Sequence, residues 1–127
     1  MNLTARLTHH DGGVLLLVLA GEIDIADEDG LRDLLTAGLS ASDRGLVVDL
    51  SRVTFMSCTG VGALVRLAGD ADRAAVALVL TAASAPVSRL LTVLDLDGAF
   101  TMAATPAEAV ALARDAREDV RAAREAE

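Results

Sequence analysis

The residues most able to do chemistry form one short segment in the middle of the chain. Three small side chains that carry a hydroxyl or a thiol, Ser57, Cys58 and Thr59, come just before Gly60 and Gly62, where a helical spacing of apolar residues begins. The first turn of a helix has backbone N–H groups without intrahelical partners, and its dipole favours negative charge. The segment is therefore suited to an anionic group such as a phosphate. Ser57 or Thr59 is equally suited to be the N-cap of the helix, because serine and threonine are preferred at that position.

Cys58 is the single cysteine of the chain. A thiol at a helix N-terminus is a candidate nucleophile or redox sensor. A cysteine phosphatase would need an arginine six positions downstream, and that position holds Leu64. His9 and His10 lie far away in the sequence, so no general base is at hand. We therefore expect no catalysis by Cys58 and interpret the chain as a binding protein rather than an enzyme.

The composition excludes several other kinds of site. The chain has 127 residues, 19 acids against 11 bases and a formal net charge of −8, and none of the bases is a lysine. A P-loop requires a lysine against the phosphates, and binding to a nucleic acid backbone requires concentrated positive charge. One cysteine and two adjacent histidines are too few ligands for a zinc site. We expect no metal, no cofactor and no nucleic acid partner, and a protein partner instead.

Strand patterns precede and follow the central segment. Residues 3–8 alternate apolar and polar side chains, as in a half-buried strand, and Asp11, Gly12 and Gly13 indicate a hairpin turn. Residues 14–20 are apolar on both faces, which is typical of an interior strand. Buried strands are also predicted at residues 46–50 and 76–80, with a last short strand near residues 100–102. Residues 49–62 are predicted to be a loop between the second buried strand and its helix.

Helices are predicted where apolar residues recur with helical spacing. Thr105, Pro106 and Glu108 form the start of a capping box and place the beginning of the last helix. The predicted apolar stripes of the three earlier helices are Leu31, Leu34, Leu35 and Leu39, then Val61, Leu64, Val65 and Ala68, and then Val87, Leu90, Leu91 and Leu94.

Strands separated by helices after an initial hairpin predict an α/β fold, with a small mixed sheet of about four to five strands and about four helices. The length fits one domain. Residues 1–116 are predicted to form that domain. Residues 117–127 are mostly Arg, Glu, Asp and Ala, and are predicted to be a charged, alanine-rich helical extension outside the core.

Three blocks of the sequence resemble the STAS domain family, and within it the bacterial anti-sigma factor antagonists. They are Gly21-Glu22-Ile23-Asp24, Val48-Asp49-Leu50-Ser51 with Val53-Thr54-Phe55, and the small-residue triplet before Gly60-Val61. The resemblance spans residues 3–115 and is most specific in the middle block. It implies a small sheet flanked by helices and, as partner, an anti-sigma factor of the serine kinase type. Binding of such an antagonist frees the sigma factor, and phosphorylation of the antagonist ends the binding.

The acceptor site departs from the pattern of the family that the chain resembles. The family's acceptor is a serine or threonine that follows an aspartate and precedes a small residue and a glycine. With Gly60 fixing the register, Ser57 stands at the aspartate position, Cys58 at the acceptor position and Thr59 at the next small position. The acceptor hydroxyl and the neighbouring carboxylate are both missing, and Thr59 is the alternative acceptor. The resemblance therefore implies a degenerate phosphorylation site.

The resemblance also implies a partner surface around this segment. Asp24 matches an acid that the family carries beside the phosphorylation loop. The other acids near it suit a solvated helix start that complements the helix dipole: Glu22, Asp27, Glu28 and Asp29. The complete implied surface is Asp24, Ser57, Cys58, Thr59, Gly60, Val61, Gly62 and Leu64.

Two interpretations of the function follow from the sequence. The first is an anti-sigma factor antagonist that acts by partner switching in the control of transcription. The second is a non-phosphorylated STAS scaffold, or an accessory subunit of a signalling or membrane transport complex. We find no basic and apolar leader and no apolar run long enough to span a membrane, and a single cysteine forms no internal disulfide. We expect a cytoplasmic, monomeric bacterial protein that does not insert into a membrane.

Overall fold

A computed structural model describes residues 3–10, 12–81, 83–96 and 98–125, with side chains up to Ala116. The described strands form one sheet of five in the order β1-β2-β3-β4-β5. β1 pairs antiparallel with β2, and the other neighbouring strands are parallel. The strands are β1 Thr4–His10, β2 Val14–Ile23, β3 Gly45–Met56, β4 Ala77–Thr81 and β5 Met102–Ala103.

Helices cover both faces of the sheet. They are α1 Glu28–Ala41, α2 Cys58–Arg73, α3 Ala85–Val93 and α4 Pro106–Glu125. Successive side chains of a strand point to opposite faces. Leu15 and Leu17 of β2 accordingly lie in the main core with α1, α2 and α3, whereas Val14 lies in a smaller cluster with Ala109 and Ala113 of α4. The predicted mixed sheet with four helices is confirmed.

Of the first strand predicted to be half-buried, Leu3 is buried in the main core, but the prediction is wrong for β1 itself, because all seven of its residues are exposed. β1 lies at the edge of the sheet and pairs with β2 alone. Solvent therefore reaches both of its faces. The predicted hairpin between the two strands is present: Gly12 and Gly13 have φ angles of 82° and 77°, which glycine adopts without steric cost. Asp11 lies outside the described residues.

Residues 51–56 are strand rather than the predicted loop. β3 runs through to Met56, and its pairing with β2 continues, with register shifts, until Ile23 lies opposite Met56. Most side chains of this extension are polar or exposed, but Val53 and Met56 are buried. Since β3 ends at Met56 and α2 begins at Cys58, Ser57 alone joins the strand to the helix.

The apolar stripe of α2 differs in part from the predicted one. The helix begins at Cys58 rather than near Gly60, and it buries Leu67 and Ala71 in addition to Val61 and Leu64. Val65 is exposed, because the buried positions advance by three or four residues and leave Val65 on the flank of the stripe. Leu94 is also exposed, since α3 ends at Val93.

Candidate functional site

The candidate site lies where β2 and β3 end side by side. The Ser57 N–H donates to Ile23 O at 2.8 Å, which extends the sheet pairing by one residue beyond β3. Asp24 follows Ile23 directly, so the two segments that the sequence singles out, residues 22–24 and 57–62, meet at this edge. The backbone pairing fixes their relative position.

Ser57 is the N-cap of α2. Its hydroxyl oxygen accepts from the Gly60 N–H at 3.3 Å and lies 2.7 Å from the hydroxyl oxygen of Thr59. The cap satisfies one of the backbone donors that a helix leaves free in its first turn. Thr59 is half-buried, and its hydroxyl is occupied by this contact with the cap. Of the two cap candidates in the sequence, the structure selects Ser57.

Cys58 is the first residue of α2, and its side chain is exposed. The predicted acceptor position therefore faces solvent, while the hydroxyl groups on either side of it are bonded to each other. A group attached at position 58 would stand beside the positive end of the α2 dipole. The geometry suits an acceptor position, but the side chain there is a thiol.

Gly60 allows α2 to approach the sheet closely. A Cβ atom on Gly60 would lie 2.8 Å from Met56 Cγ and 3.1 Å from Ile23 Cγ2, both of which belong to the strand ends below the helix. Gly62, two residues further on, has no atom within 4 Å of the corresponding Cβ position. The two glycines thus serve different purposes: Gly60 permits close packing, and Gly62 leaves an open surface.

The predicted partner surface separates into exposed and buried residues. Asp24, Cys58 and Gly62 are exposed, and Ser57 and Thr59 are half-buried. The other three predicted contact residues, Gly60, Val61 and Leu64, are buried. Helical spacing turns them toward the sheet, so the prediction that they contact a partner is corrected. They hold α2 in place and do not contribute to the surface.

Asp24 has a local structural role in addition to its exposure. It caps the short 3-10 helix Ile25–Asp27: its carboxylate accepts from the Ile25 N–H at 2.7 Å, and the Asp27 carboxylate accepts from the Asp24 N–H at 3.1 Å. Asp27 is buried, and Glu28 forms a 3.0 Å ion pair with Arg32 on α1. These contacts confirm that part of the acidic cluster stabilises helix starts.

Asp49 is also structural. It lies within β3, is almost fully buried, and accepts from the Ser51 N–H at 2.9 Å. This hydrogen bond from a nearby backbone amide satisfies the buried carboxylate locally.

A groove next to the site was not anticipated from the sequence. It encloses about 300 Å3 between the end of β3 and the outer side of α3, and we call it the α3 groove. Phe55 is 49% exposed and Val93 is 75% exposed. The signal in the sequence was Phe55, an aromatic residue in a segment read as a loop. The lining residues are Phe55, Met56, Pro86, Arg89, Leu90 and Val93.

The described residues lack two kinds of feature. No group of three or more His, Cys, Asp or Glu side chains is placed to hold a metal ion. No described helix is long and apolar enough to cross a membrane.

Comparison with known proteins identifies the family. A family model of the STAS domain matches residues 5–109. The chain belongs to the STAS domain family. The anti-sigma-F factor antagonist RsfA of Mycobacterium tuberculosis is 34% identical to this STAS domain over 91 residues, which make up 70% of each protein.

Solved structures agree with this assignment. The crystal structure of an anti-sigma factor antagonist from Mycobacterium paratuberculosis has a TM-score of 0.77 and 25% identity, and the match covers 88% of this chain and 94% of that chain. The anti-sigma factor antagonist SpoIIAA in its unphosphorylated form has a TM-score of 0.71 at 21% identity, with 88% and 97% covered. The second match shows that the fold is shared. These matches confirm the resemblance to the STAS family and its anti-sigma factor antagonists that the three sequence blocks indicated.

Proposed function

We propose that this STAS domain is an anti-sigma factor antagonist: it binds an anti-sigma factor of the serine kinase type and thereby frees a sigma factor for transcription. The observation that carries the proposal is its 34% identity to an anti-sigma-F factor antagonist. In this proposal the protein acts in the cytoplasm as a monomer, and it acts by binding rather than by catalysis.

The geometry of the strand ends supports a preformed docking surface. The backbone bond from Ser57 to Ile23 holds Asp24 next to the start of α2, and the buried Val61 and Leu64 anchor the helix in the core. Asp24, Cys58 and Gly62 are left on the outside. Since these positions are fixed by the core, little conformational entropy is lost when a partner binds.

The proposed switch is altered at the acceptor. A phosphoryl group brings nearly two negative charges, which a partner surface shaped around a neutral side chain would repel. Cys58 offers a thiol where the family has a hydroxyl, and the Thr59 hydroxyl contacts the N-cap. We propose that this antagonist binds its partner without the usual phosphorylation brake.

The proposal is tested by isothermal titration against anti-sigma factors of the serine kinase type, beginning with any that is encoded beside its gene. We expect Asp24→Ala and Gly62→Arg each to weaken binding at least about tenfold, the loss typical of an interface hot spot. Asp24→Asn keeps an N-cap residue and removes the charge, so it separates binding from capping. Gly98→Arg is the matched control for Gly62→Arg, since a Cβ atom at Gly98 also has open space around it.

Circular dichroism must show that each variant is folded. Unchanged affinity for both Asp24→Ala and Gly62→Arg would remove this surface from the proposal. If the unaltered protein binds neither the neighbouring anti-sigma factor nor any other of the kinase type, the antagonist function is wrong and the scaffold or transport-subunit interpretation replaces it.

A further inference from the structure

The α3 groove has the composition of a binding surface. The chain contains two aromatic residues, both phenylalanine, and Phe55 leaves about half of its surface in water. Single exposed apolar residues are normal on a protein surface, whereas adjoining ones form a patch, and the large patches of a surface are often interaction sites. Phe55 and Val93 share this groove with Pro86 and Leu90. The groove is therefore a patch and not a scattered set of exposed residues.

The walls of the groove are held rigidly. The Ser84 N–H donates to Leu50 O and the Ser84 hydroxyl donates to Val53 O, so the start of α3 is tied to β3. Val87 and Leu91 on the inner side of α3 are buried. With Val87 and Leu91 in the core, the opposite side of α3 faces outward and leaves the groove open to a partner.

The charge of Arg89 in the groove indicates which chemical groups a bound segment should carry. Arg89 is the one charged side chain in the described lining of the groove, on a chain with a formal net charge of −8. Among the described residues, the ion pairs are Arg32 with Glu28 and Arg73 with Asp70, and neither involves Arg89. An arginine beside apolar surface favours a carboxylate, which it can bind through two parallel hydrogen bonds. The complementary segment combines an apolar side chain with an adjacent Asp or Glu.

The groove continues into the candidate site. Met56 lines the groove and immediately precedes the N-cap Ser57, and Phe55 lies three residues before Cys58. One partner of ordinary size, which buries roughly 800 Å2 on each side, covers both features. A second, separate partner is unnecessary.

We infer that the α3 groove is a second contact for the anti-sigma factor and receives an apolar side chain of that protein while Arg89 pairs with a neighbouring carboxylate. This inference rests on the proposed function and extends its surface from α2 to α3. It also places the apolar contact next to the acceptor position. Negative charge introduced at position 58 would then oppose the approach of the same carboxylate.

Two pairs of matched variants test the inference by titration against the anti-sigma factor. Val93→Lys removes an exposed apolar side chain from α3, and Leu112→Lys makes the same change at the exposed Leu112 of α4. Arg89→Glu reverses the groove charge, and Arg6→Glu makes the same change on the exposed strand β1. We expect both groove variants to bind at least about tenfold more weakly and both controls to stay within about twofold of the unaltered protein. The affinity of the unaltered protein is expected to fall as the salt concentration rises, because salt screens the pairing of Arg89 with a carboxylate. The affinity of Arg89→Glu is expected to fall less steeply, because that attraction is missing.

The outcomes separate this inference from the proposed function. If Asp24→Ala weakens binding while Val93→Lys and Arg89→Glu do not, the antagonist function stands and the α3 contact is wrong. If the unaltered protein binds no anti-sigma factor, both fail together. If sedimentation shows a dimer of the unaltered protein that Val93→Lys dissociates, the groove is occupied by a second copy of the chain, which overturns the inference.

Discussion

The hydrogen bonds around Cys58 distinguish three neighbouring residues that look equivalent in the sequence. Ser57 is engaged as the N-cap, Thr59 lies 2.7 Å from the Ser57 hydroxyl, and Cys58 is exposed. Sequence preference alone left the cap open between Ser57 and Thr59, because both types serve there. The choice depends on where β3 ends. The end of β3 depends on its pairing with β2 over many residues, with two register shifts, and the residue types at positions 57–59 carry no information about that pairing.

At this scale we predict that the unaltered protein is a poor substrate for a serine kinase of the anti-sigma type. The double variant Ser57→Asp, Cys58→Ser places a hydroxyl at the exposed position and a carboxylate beside it. Aspartate is as good an N-cap as serine, so the bond from the Gly60 N–H is kept. We expect the double variant to gain one phosphate per chain with kinase and ATP, measured by intact mass.

The control for this prediction is Thr59→Val, which removes the alternative acceptor and leaves Cys58 in place. Neither Thr59→Val nor the unaltered protein is expected to gain the mass of a phosphate in the same incubation. Stoichiometric phosphate on the unaltered chain that disappears in Thr59→Val would identify Thr59 as the acceptor and show that the register based on Gly60 is wrong.

At the scale of elements, the sequence predicted the existence of each described strand and α-helix but not the short 3-10 helix Ile25–Asp27, and not all of the limits. Buried strands such as residues 14–20 can be recognised in the sequence because they are apolar on both faces. The extension at residues 51–56 cannot, because its exposed positions carry polar side chains and bulges break the alternation. The α3 groove escaped prediction for the same reason, since Phe55 lies in that extension.

The contact between α2 and the strand ends leads to a prediction about Gly60. In Gly60→Ala the new Cβ atom would lie 2.8 Å from Met56 Cγ, so α2 or the strand ends must shift. Overpacking of this kind costs about 1–3 kcal/mol, which exceeds the helix propensity gained by replacing glycine. We expect a net loss of about 1 kcal/mol in the free energy of unfolding, measured by urea denaturation.

Gly62→Ala is the matched control on the same helix. Its Cβ atom has open space, so the variant is expected to gain up to about 1 kcal/mol from helix propensity alone. Equal stability of the two alanine variants would show that α2 does not approach the sheet as closely as the structure places it.

In the whole molecule, the proposed partner surface lies apart from α4, which packs on one face of the sheet. The candidate site and the α3 groove lie at the ends of β2 and β3, whereas α4 packs against the opposite face through Ala109, Val110 and Ala113. Gly45 lets α4 lie close to β3, since a Cβ atom there would be 2.9 Å from Ala113 Cβ. Changes far along α4 should therefore affect neither the site nor its partner.

The last prediction concerns the end of that helix. α4 is continuous from Pro106 to Glu125, and its buried residues up to Ala116 are Ala109, Val110 and Ala113. We predict that residues 117–127 form a charged extension outside the domain. Their deletion should change the melting midpoint by less than about 3 °C, because a sequence mostly of charged residues and alanine contributes little to a hydrophobic core. Affinity for the anti-sigma factor should be unchanged in the same preparation. A loss of more than about 2 kcal/mol in the free energy of unfolding would mean that residues 117–127 pack on the core and that the domain extends beyond residue 116.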